Sequence, residues 1–267
     1  MVRMKNYRGL ILDLDGCVYV GSEPTEGAVD ALTKLKKLGV KILYVTNNPM
    51  RTSEEFAEKL RSMGIDCEAE EVLTVSEAVA AYIRSRSGPS KVLVIAGRGV
   101  KEYCRRFGHE LLEPSEWRKA EYVVVGMDPE INYEKFRFGL KAIHKGAVFI
   151  GTNPDVTHPG AEGIEPGSGA IVAAFKAMAG FEPIIVGKPS RIIMDVALKK
   201  LGLEASEVLV VGDRLDTDIK AGKAIGADTA LVLTGIAKES DLRGIPEELK
   251  PTYVFRNLGE LVETLYP

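Results

Sequence analysis

Short apolar runs alternate with amphipathic stretches along the first quarter of the chain. GLILDLD at residues 9–15 precedes a helical pattern near 26–38, and VKILYVTNN at 40–48 precedes another near 53–63. A β-branched apolar run followed by helical spacing is typical of a βαβ unit. The beginning of the chain therefore predicts parallel strands that are joined by crossover helices.

The same alternation returns in the last third of the chain. The predicted strands in this part of the chain consist mainly of apolar residues, which is typical of parallel strands that are buried on both faces of a sheet. We therefore expect an α/β fold with a Rossmann-like, doubly wound parallel-sheet core. The late apolar runs are PIIVGKP (183–189), EVLVVGD (207–213), TALVLTG (229–235) and TYVF (252–255), with helical patterns near 190–201 and 217–225 and a closing helix.

Three further strand-like runs occupy the middle of the chain. They are KVLVIAG, EYVVVGMD and AVFIGTNPD, and helical patterns near 99–107 and 132–144 separate them. We predict an inserted, smaller α/β cap domain over residues 78–182, which leaves 1–77 and 183–267 as a discontinuous core. A chain of 267 residues is long enough for both.

Composition and charge exclude several classes of partner. The formal net charge is −3 with basic and acidic residues interspersed, so the basic field needed for nucleic acid is missing. No apolar run approaches the roughly 18 residues of a membrane span, and the apolar stretch near the start is too short for a signal segment. Three cysteines without a CxxC fit a reducing compartment, so we expect a cytoplasmic protein.

Polar residues follow four of the predicted strands. Ligands of open parallel sheets bind at the carboxyl ends of the strands. Taken singly, these residues are compatible with solvated turns, helix caps or an exposed lysine. They are Asp13 and Asp15 after the first run, Thr46, Asn47 and Asn48 after the second, Lys188 after PIIVG, and Asp213 after EVLVVG.

Together these residues predict a cation and an anion. Carboxylates that converge at one sheet edge repel one another and raise each other's pKa unless a cation lies among them. Hard oxygen ligands without histidine or cysteine favour Mg²⁺, which also binds substrate phosphate. Lys188 and the Thr46 hydroxyl would complete a positive cradle for a phosphoryl group. Asp13 and Asp15, two apart on a strand, could then attack phosphorus and move a proton.

Four motifs in a fixed order resemble those of the haloacid dehalogenase (HAD) superfamily of aspartate-nucleophile phosphatases. They are DLDG at 13–16, TNN at 46–48, GKP at 187–189 and GDRLDTD at 212–218. Residues 151–175, GTNPDVTHPGAEGIEPGSGAIVAAF, resemble the type C2 cap of the NagD and p-nitrophenylphosphatase branch. The resemblance spans nearly the whole chain.

The resemblance implies a role for each motif residue. Asp13 would be the nucleophile and a metal ligand, and Asp15 would be the general acid and base whose carbonyl also binds the metal. Asp213 would be the remaining direct carboxylate ligand, with Asp218 behind it. The residues expected to hold the phosphoryl oxygens are Thr46, the backbone of Asn47, and Lys188.

The resemblance also implies a substrate class. The expected reaction is Mg²⁺-dependent hydrolysis of small phosphate monoesters through an aspartyl-phosphate, with sugar phosphate, phosphoglycolate, pyridoxal phosphate or p-nitrophenyl phosphate as substrate. His158 follows GTNPDVT where pyridoxal phosphate phosphatases carry a substrate-contacting histidine, so we expect it to contact the substrate from the cap. Self-association into a homodimer is left open.

Two other functions share this residue pattern. A phosphotransferase or phosphomutase would use the same site but pass the phosphoryl group to an acceptor other than water. A receiver-like phospho-signalling module also combines carboxylates, Mg²⁺, threonine and lysine, but it needs no large insert. The glycine-rich stretches GRGVKE (97–102) and GSGAIV (167–172) lack the third glycine of a dinucleotide loop, so a nicotinamide site is not expected.

Overall fold

A computed structural model describes residues 6–160 and 163–267 of the chain. These residues form two compact units. The core unit comprises the described residues through Thr46, together with Ser53–Leu73 and Lys188–Pro267; the insert unit comprises Asn47–Thr52 and the described residues of Thr74–Gly187. The loop that begins within the TNN motif, Asn47–Thr52, therefore belongs to the insert unit. That residues 78–182 act as a cap stays a prediction.

Short strands make up the sheets of both units. Two of them end directly before a predicted site aspartate. In the described part of the chain the strands are β1 Gly9–Leu12, β2 Tyr19–Val20, β3 Glu23–Pro24, β4 Lys41–Thr46, β5 Val72–Thr74, β6 Lys91–Ile95, β7 Glu110–Leu111, β8 Tyr122–Val125, β9 Val148–Gly151, β10 Thr157–Gly160, β11 Gly163–Pro166, β12 Ile184–Ile185, β13 Val208–Gly212, β14 Asp228–Val232 and β15 Tyr253–Phe255.

Helices of modest length connect these strands. None of the helices in residues 6–160 and 163–267 is both long enough and apolar enough to cross a membrane. A π-helical turn, Leu215–Ile219, precedes the eighth α-helix. The α-helices are α1 Ala28–Lys37, α2 Ser53–Ser62, α3 Val75–Ser87, α4 Arg98–Arg106, α5 Tyr133–His144, α6 Ser168–Ala179, α7 Arg191–Leu201, α8 Lys220–Ile225 and α9 Leu258–Leu265.

The core unit contains a six-stranded sheet in the order β15-β14-β13-β1-β4-β5. β1 runs parallel to both of its neighbours, with Leu12 beside Val211 of β13 and Tyr44 of β4. On one side of β1 the strands follow in the chain order β4, β5, and on the other side they follow in the chain order β13, β14, β15. The direction in which the chain adds strands to the sheet therefore reverses between β1 and β13. This confirms the predicted doubly wound α/β fold and places its switch point beside the DLDG motif.

Apolar side chains explain why these strands and helices pack together. All four residues of β1 and all five of β13 are buried, as expected for parallel strands covered on both faces. α1 and α9 contribute buried leucines at helical spacing to the same hydrophobic cluster, including Leu32, Leu35, Leu261 and Leu265. The N-terminus of α9 is capped by Asn257, whose side chain accepts a hydrogen bond from the backbone N–H of Glu260.

The insert unit has its own parallel sheet and hydrophobic core. Its strand order is β12-β9-β8-β6-β7, and the three runs predicted from sequence form β6, β8 and β9. The core lies between this sheet and helices α5 and α6, where Val123, Phe149 and Phe175 are buried. β10 and β11 form a separate antiparallel hairpin in which His158 lies opposite Glu165.

Candidate active site

Two neighbouring strands deliver aspartates to one edge of the core sheet. Asp13 follows β1 and Asp213 follows β13, and the N–H of Asp13 donates to the carbonyl of Val211 at 2.9 Å. Since adjacent parallel strands end at the same edge, the two side chains meet there. One carboxylate oxygen from each of Asp13, Asp213 and Asp218 lies within 4.8 Å of the others. We call these three residues the carboxylate cluster.

Lys188 joins the carboxylate cluster to β4. Its ammonium donates to Asp13 Oδ1 at 2.5 Å, to Asp218 Oδ1 at 2.8 Å and to the carbonyl of Val45 at 2.9 Å. An ammonium has three donors, and these three contacts use all of them. The Lys188 residue is only 4 % exposed. Burial and saturation of its donors hold this side chain in one place.

The loop after β14 fixes the orientation of Asp213. The backbone N–H of Ile236 donates to Asp213 Oδ2 at 2.7 Å, and the N–H of Ala237 donates to the Asp213 carbonyl at 3.0 Å. A Cβ on Gly235 would lie only 2.0 Å from Asp213 Oδ2. The backbone can therefore approach this carboxylate only because residue 235 has no side chain.

The same loop also holds the DLDG turn. The Thr234 hydroxyl donates to the carbonyl of Gly16 at 2.6 Å. Gly16 has φ +85°, and a Cβ there would lie 2.4 Å from Asp213 Oδ2. Gly16 is therefore required both for its left-handed backbone and for the space next to Asp213. The turn after β1 and the loop after β14 are thus built around one carboxylate.

Asp218 is positioned by the π-helical turn. The N–H groups of Asp218 and Ile219 both donate to the carbonyl of Arg214 at 3.2 Å, and the Arg214 N–H donates back to Asp218 Oδ2 at 3.2 Å. A Cβ on Gly212 would lie 2.2 Å from Asp218 Cγ. π-helical turns of this kind are frequent at functional sites. Both Asp218 oxygens have hydrogen-bond donors, which suits a residue that holds Lys188 in place.

Burial and mutual repulsion shift the pKa values in this cluster. Burial raises the pKa of Asp13 well above its usual range; the charge of Lys188 opposes this, and Asp218 and Asp213 add to it. Burial and the neighbouring Asp218 raise the pKa of Asp213 to about 6. Burial alone would lower the pKa of Lys188, but Asp13 and Asp218 more than compensate and raise it. Lys188 therefore remains an ammonium.

The donors present fit a hard divalent cation. Three carboxylates face a single ammonium, so negative charge is in excess. Asp213 Oδ1 is buried and has no hydrogen-bond partner among the described residues. A buried oxygen of this kind is destabilising unless a ligand satisfies it. A cation bound by Asp13 and Asp213 would satisfy that oxygen and neutralise the excess charge.

The structure places Asp15 differently from the strand-based expectation. β1 ends at Leu12 and the chain then turns, so the alternation of a strand does not carry through to Asp15. Asp15 is exposed and lies outside the carboxylate cluster, and its Oδ2 accepts a hydrogen bond from the Tyr19 hydroxyl at 3.2 Å. Thr46 is buried at the end of β4, next to the Val45 carbonyl that binds Lys188.

The remaining two predicted site residues lie in the insert unit. Asn47 Nδ2 donates to Asp155 Oδ2 at 2.8 Å, and the Asn47 carbonyl accepts from Asn153 Nδ2 at 2.7 Å. His158, on β10, is partly exposed, with Nε2 3.8 Å from Glu165 Oε2. The proposed contacts of Asn47 with phosphate and of His158 with substrate stay predictions.

Sequence reasoning missed two contributors to the site. The first is the loop of residues 234–237, in which the N–H groups of Ile236 and Ala237 donate to Asp213. Its signal was present, because TALVLTG ends in a polar residue and a glycine at a strand end, the feature that singled out the other motifs. The second is Tyr19, the hydrogen-bond partner of Asp15. An aromatic residue four positions after a carboxylate carries no comparable signal.

The fold and the site define an α/β protein with a buried carboxylate–lysine centre at the switch point of a parallel sheet. Family models agree with this class. Residues 10–110 match a model described as haloacid dehalogenase-like hydrolase, and residues 185–261 match a second HAD-hydrolase-like model.

Individual proteins extend the similarity to the full chain. An acid sugar phosphatase of Staphylococcus aureus is 39 % identical over 262 residues, which cover 98 % of this chain and 99 % of the relative. A solved p-nitrophenyl phosphatase from Archaeoglobus fulgidus is 41 % identical with a TM-score of 0.91, covering 98 % of this chain and all of that one. NagD from E. coli is 28 % identical with a TM-score of 0.88, covering 96 % and 98 %. The chain belongs to the haloacid dehalogenase-like hydrolase family, which confirms the predicted family and enzyme class.

Proposed function

We propose that this protein is a Mg²⁺-dependent phosphatase that hydrolyses small phosphate monoesters. The observation that carries the proposal is the meeting of Asp13, Asp213 and Lys188 at one sheet edge. Relatives over the full chain are named as an acid sugar phosphatase and a p-nitrophenyl phosphatase, which supports sugar phosphates and aryl phosphates as the first substrates to test. Phosphoglycolate and pyridoxal phosphate belong in the same panel.

Asp13 is the proposed nucleophile. A carboxylate oxygen of Asp13 attacks phosphorus, the bond from phosphorus to the ester oxygen breaks, and an aspartyl-phosphate forms. Asp15 donates a proton to the departing oxygen. Asp15 then removes a proton from water, which attacks the same phosphorus, releases inorganic phosphate and regenerates the Asp13 carboxylate. The proton taken from water restores Asp15 to its starting state.

The buried charges prepare the site for a phosphoryl group. The Lys188 ammonium, already 2.5 Å from Asp13 Oδ1, is placed to bind a phosphoryl oxygen as Asp13 reacts. Asp13 and Asp213, with the carbonyl of Asp15, would hold Mg²⁺, which when bound offsets the negative charge of the carboxylates and of the phosphoryl group. Thr46 and the Asn47 backbone are the proposed further ligands of the phosphoryl oxygens.

The decisive experiment replaces the nucleophile. Asp13→Asn should retain the fold and lower kcat for p-nitrophenyl phosphate by on the order of a thousandfold or more, because an amide does not form an acyl phosphate. Asp216→Asn is the matched control and should keep the activity of wild type. This exposed carboxylate pairs with Arg214 in the GDRLDTD motif but lies outside the carboxylate cluster. Activity of Asp13→Asn within tenfold of wild type would refute the mechanism.

The products distinguish hydrolysis from transfer. Stoichiometric release of inorganic phosphate is expected, whereas phosphorylated product without free phosphate would indicate a phosphotransferase or phosphomutase. A single phosphorylation without turnover would indicate a receiver-like module. The proposed partner is thus a small phosphorylated metabolite; a homodimer and a cytoplasmic location stay predictions.

A further inference from the structure

The Asp15 carboxylate has a buried neighbour that the proposed reaction does not use. The Tyr19 hydroxyl lies 3.2 Å from Asp15 Oδ2 and donates a hydrogen bond to it. Tyr19 has no exposed surface, whereas Asp15 is exposed. A buried phenol that donates to an exposed carboxylate restricts the rotamers of that carboxylate from the protein side.

The backbone fixes this pair because both residues lie on one tight turn. The Leu14 carbonyl accepts from three successive N–H groups, those of Cys17, Val18 and Tyr19, at 3.3, 2.9 and 3.2 Å. The Gly16 N–H donates to the Tyr19 carbonyl at 2.8 Å and closes the turn in the other direction. The distance between the phenol and the carboxylate is therefore set by a hydrogen-bonded turn.

The Tyr19 ring is also held from a second element. Lys59 of α2 places its ammonium 3.6 Å from the centre of the ring, within the range of a cation–π interaction. The Tyr19 backbone is held as well, because Tyr19 begins β2 and pairs with Pro24 of β3 in an antiparallel hairpin. Ring, turn and hairpin thus fix the hydroxyl before any substrate is present.

We propose that Tyr19 is a positioning residue for the general acid and base. Its hydroxyl orients the Asp15 carboxylate so that proton transfer to the leaving oxygen needs no reorientation. This inference rests on the proposed function, because it assigns a purpose to Tyr19 only if Asp15 transfers the proton. Loss of the hydroxyl would leave Asp13, Lys188 and the carboxylate cluster in place.

A positioning role makes the effect depend on the leaving group. p-Nitrophenolate is a stable anion that departs with little help from an acid, whereas phenolate is more basic and depends more on the proton that Asp15 donates. Phenyl phosphate and p-nitrophenyl phosphate are otherwise similar in shape, so the insert unit should treat them alike. Misplacing Asp15 should therefore slow phenyl phosphate selectively.

The test is Tyr19→Phe, with kcat/KM measured for both esters in saturating Mg²⁺. This quantity reports the steps up to departure of the leaving group, whereas kcat also contains hydrolysis of the aspartyl-phosphate, in which Asp15 acts identically for both esters. We expect kcat/KM for phenyl phosphate to fall by about tenfold or more and kcat/KM for p-nitrophenyl phosphate to fall by less than about threefold. Lys59→Met, which keeps the phenol and removes the cation over its ring, should change the ratio of the two kcat/KM values in the same direction and by less.

Tyr7→Phe is the matched control. Tyr7 is likewise buried and its hydroxyl donates to a carboxylate, Asp228 Oδ2 at 3.0 Å, at the opposite end of the core strands. The Tyr7→Phe variant should leave the ratio of the two kcat/KM values unchanged. An unchanged ratio of the two kcat/KM values in Tyr19→Phe would overturn the inference. That failure is distinct from failure of the proposed function, which would appear as activity retained in Asp13→Asn.

Discussion

Replacing Asp213 with asparagine tests whether the carboxylate cluster destabilises the metal-free protein. Asp213 is 1 % exposed, and its Oδ1 lacks a hydrogen-bond partner among the described residues. Asparagine has nearly the same shape and keeps an oxygen that can accept from the N–H of Ile236. The substitution therefore removes a buried charge and leaves the packing almost unchanged.

The magnitude follows from the pKa of Asp213. Burial and Asp218 raise this pKa from 3.8 to about 6, and about two pKa units correspond to ~3 kcal/mol. Because the pKa is higher in the folded state, the folded protein keeps a proton between about pH 4 and pH 6 that the unfolded chain releases. Stability contributed by this group therefore falls as pH rises through that window. At pH 8 without metal, Asp213→Asn should be about 2 to 3 kcal/mol more stable than wild type; near pH 4 the difference should vanish.

Urea unfolding at pH 4, 6 and 8 in EDTA, repeated in excess Mg²⁺, measures these free energies. Mg²⁺ should stabilise wild type by binding to the folded state alone, and it should stabilise Asp213→Asn much less because one ligand is weakened. Phosphatase activity should fall in the variant although its metal-free stability rises. A variant that is less stable than wild type at pH 8 in EDTA would refute the reasoning.

Three further substitutions test other parts of the site. Lys188→Met should destabilise the metal-free protein by about 3 to 5 kcal/mol in urea unfolding, because Asp13 loses its buried partner; a loss below 1 kcal/mol would contradict the pairing. Gly235→Ala should weaken Mg²⁺ binding at least about tenfold by titration calorimetry, since its Cβ would lie 2.0 Å from Asp213 Oδ2, and unaltered affinity would argue against this contact. His158→Ala should change relative kcat/KM between a sugar phosphate and p-nitrophenyl phosphate by roughly 1 to 3 kcal/mol with unchanged Mg²⁺ affinity; constant ratios would mean that the histidine is only solvated.

The strands that carry the site could be predicted because buried parallel strands consist of continuous apolar runs in the sequence. β1, β4 and β13 fall within such runs, and the strand-end rule then points directly to Asp13 and Asp213. Lys188 was found in the same way, after PIIVG. These predictions needed no side-chain directions, only the order of the strands and the edge at which they end.

Contacts made beyond the strand ends could not be predicted. The direction of Asp15 depends on a turn in which one carbonyl, that of Leu14, accepts three N–H groups, and this geometry has no period in the sequence. Asn47 belongs to the insert unit, although the preceding residue, Thr46, belongs to the core unit. Such assignments depend on distant partners, in this case Asp155 and Asn153, that sequence spacing does not identify.

The pairing of Gly9 with Val208 has a consequence for synthesis on the ribosome. β1 and β4 are translated before residues 74–187 of the insert unit, but β13, which pairs with the other edge of β1, is translated after them. The five strands of the insert sheet, β6, β7, β8, β9 and β12, all precede β13 in the chain, so this sheet can form first. The β13 edge of β1 therefore has no partner strand until residues 208–212 have been made, and an unpaired apolar strand edge of this kind is prone to pairing with other chains.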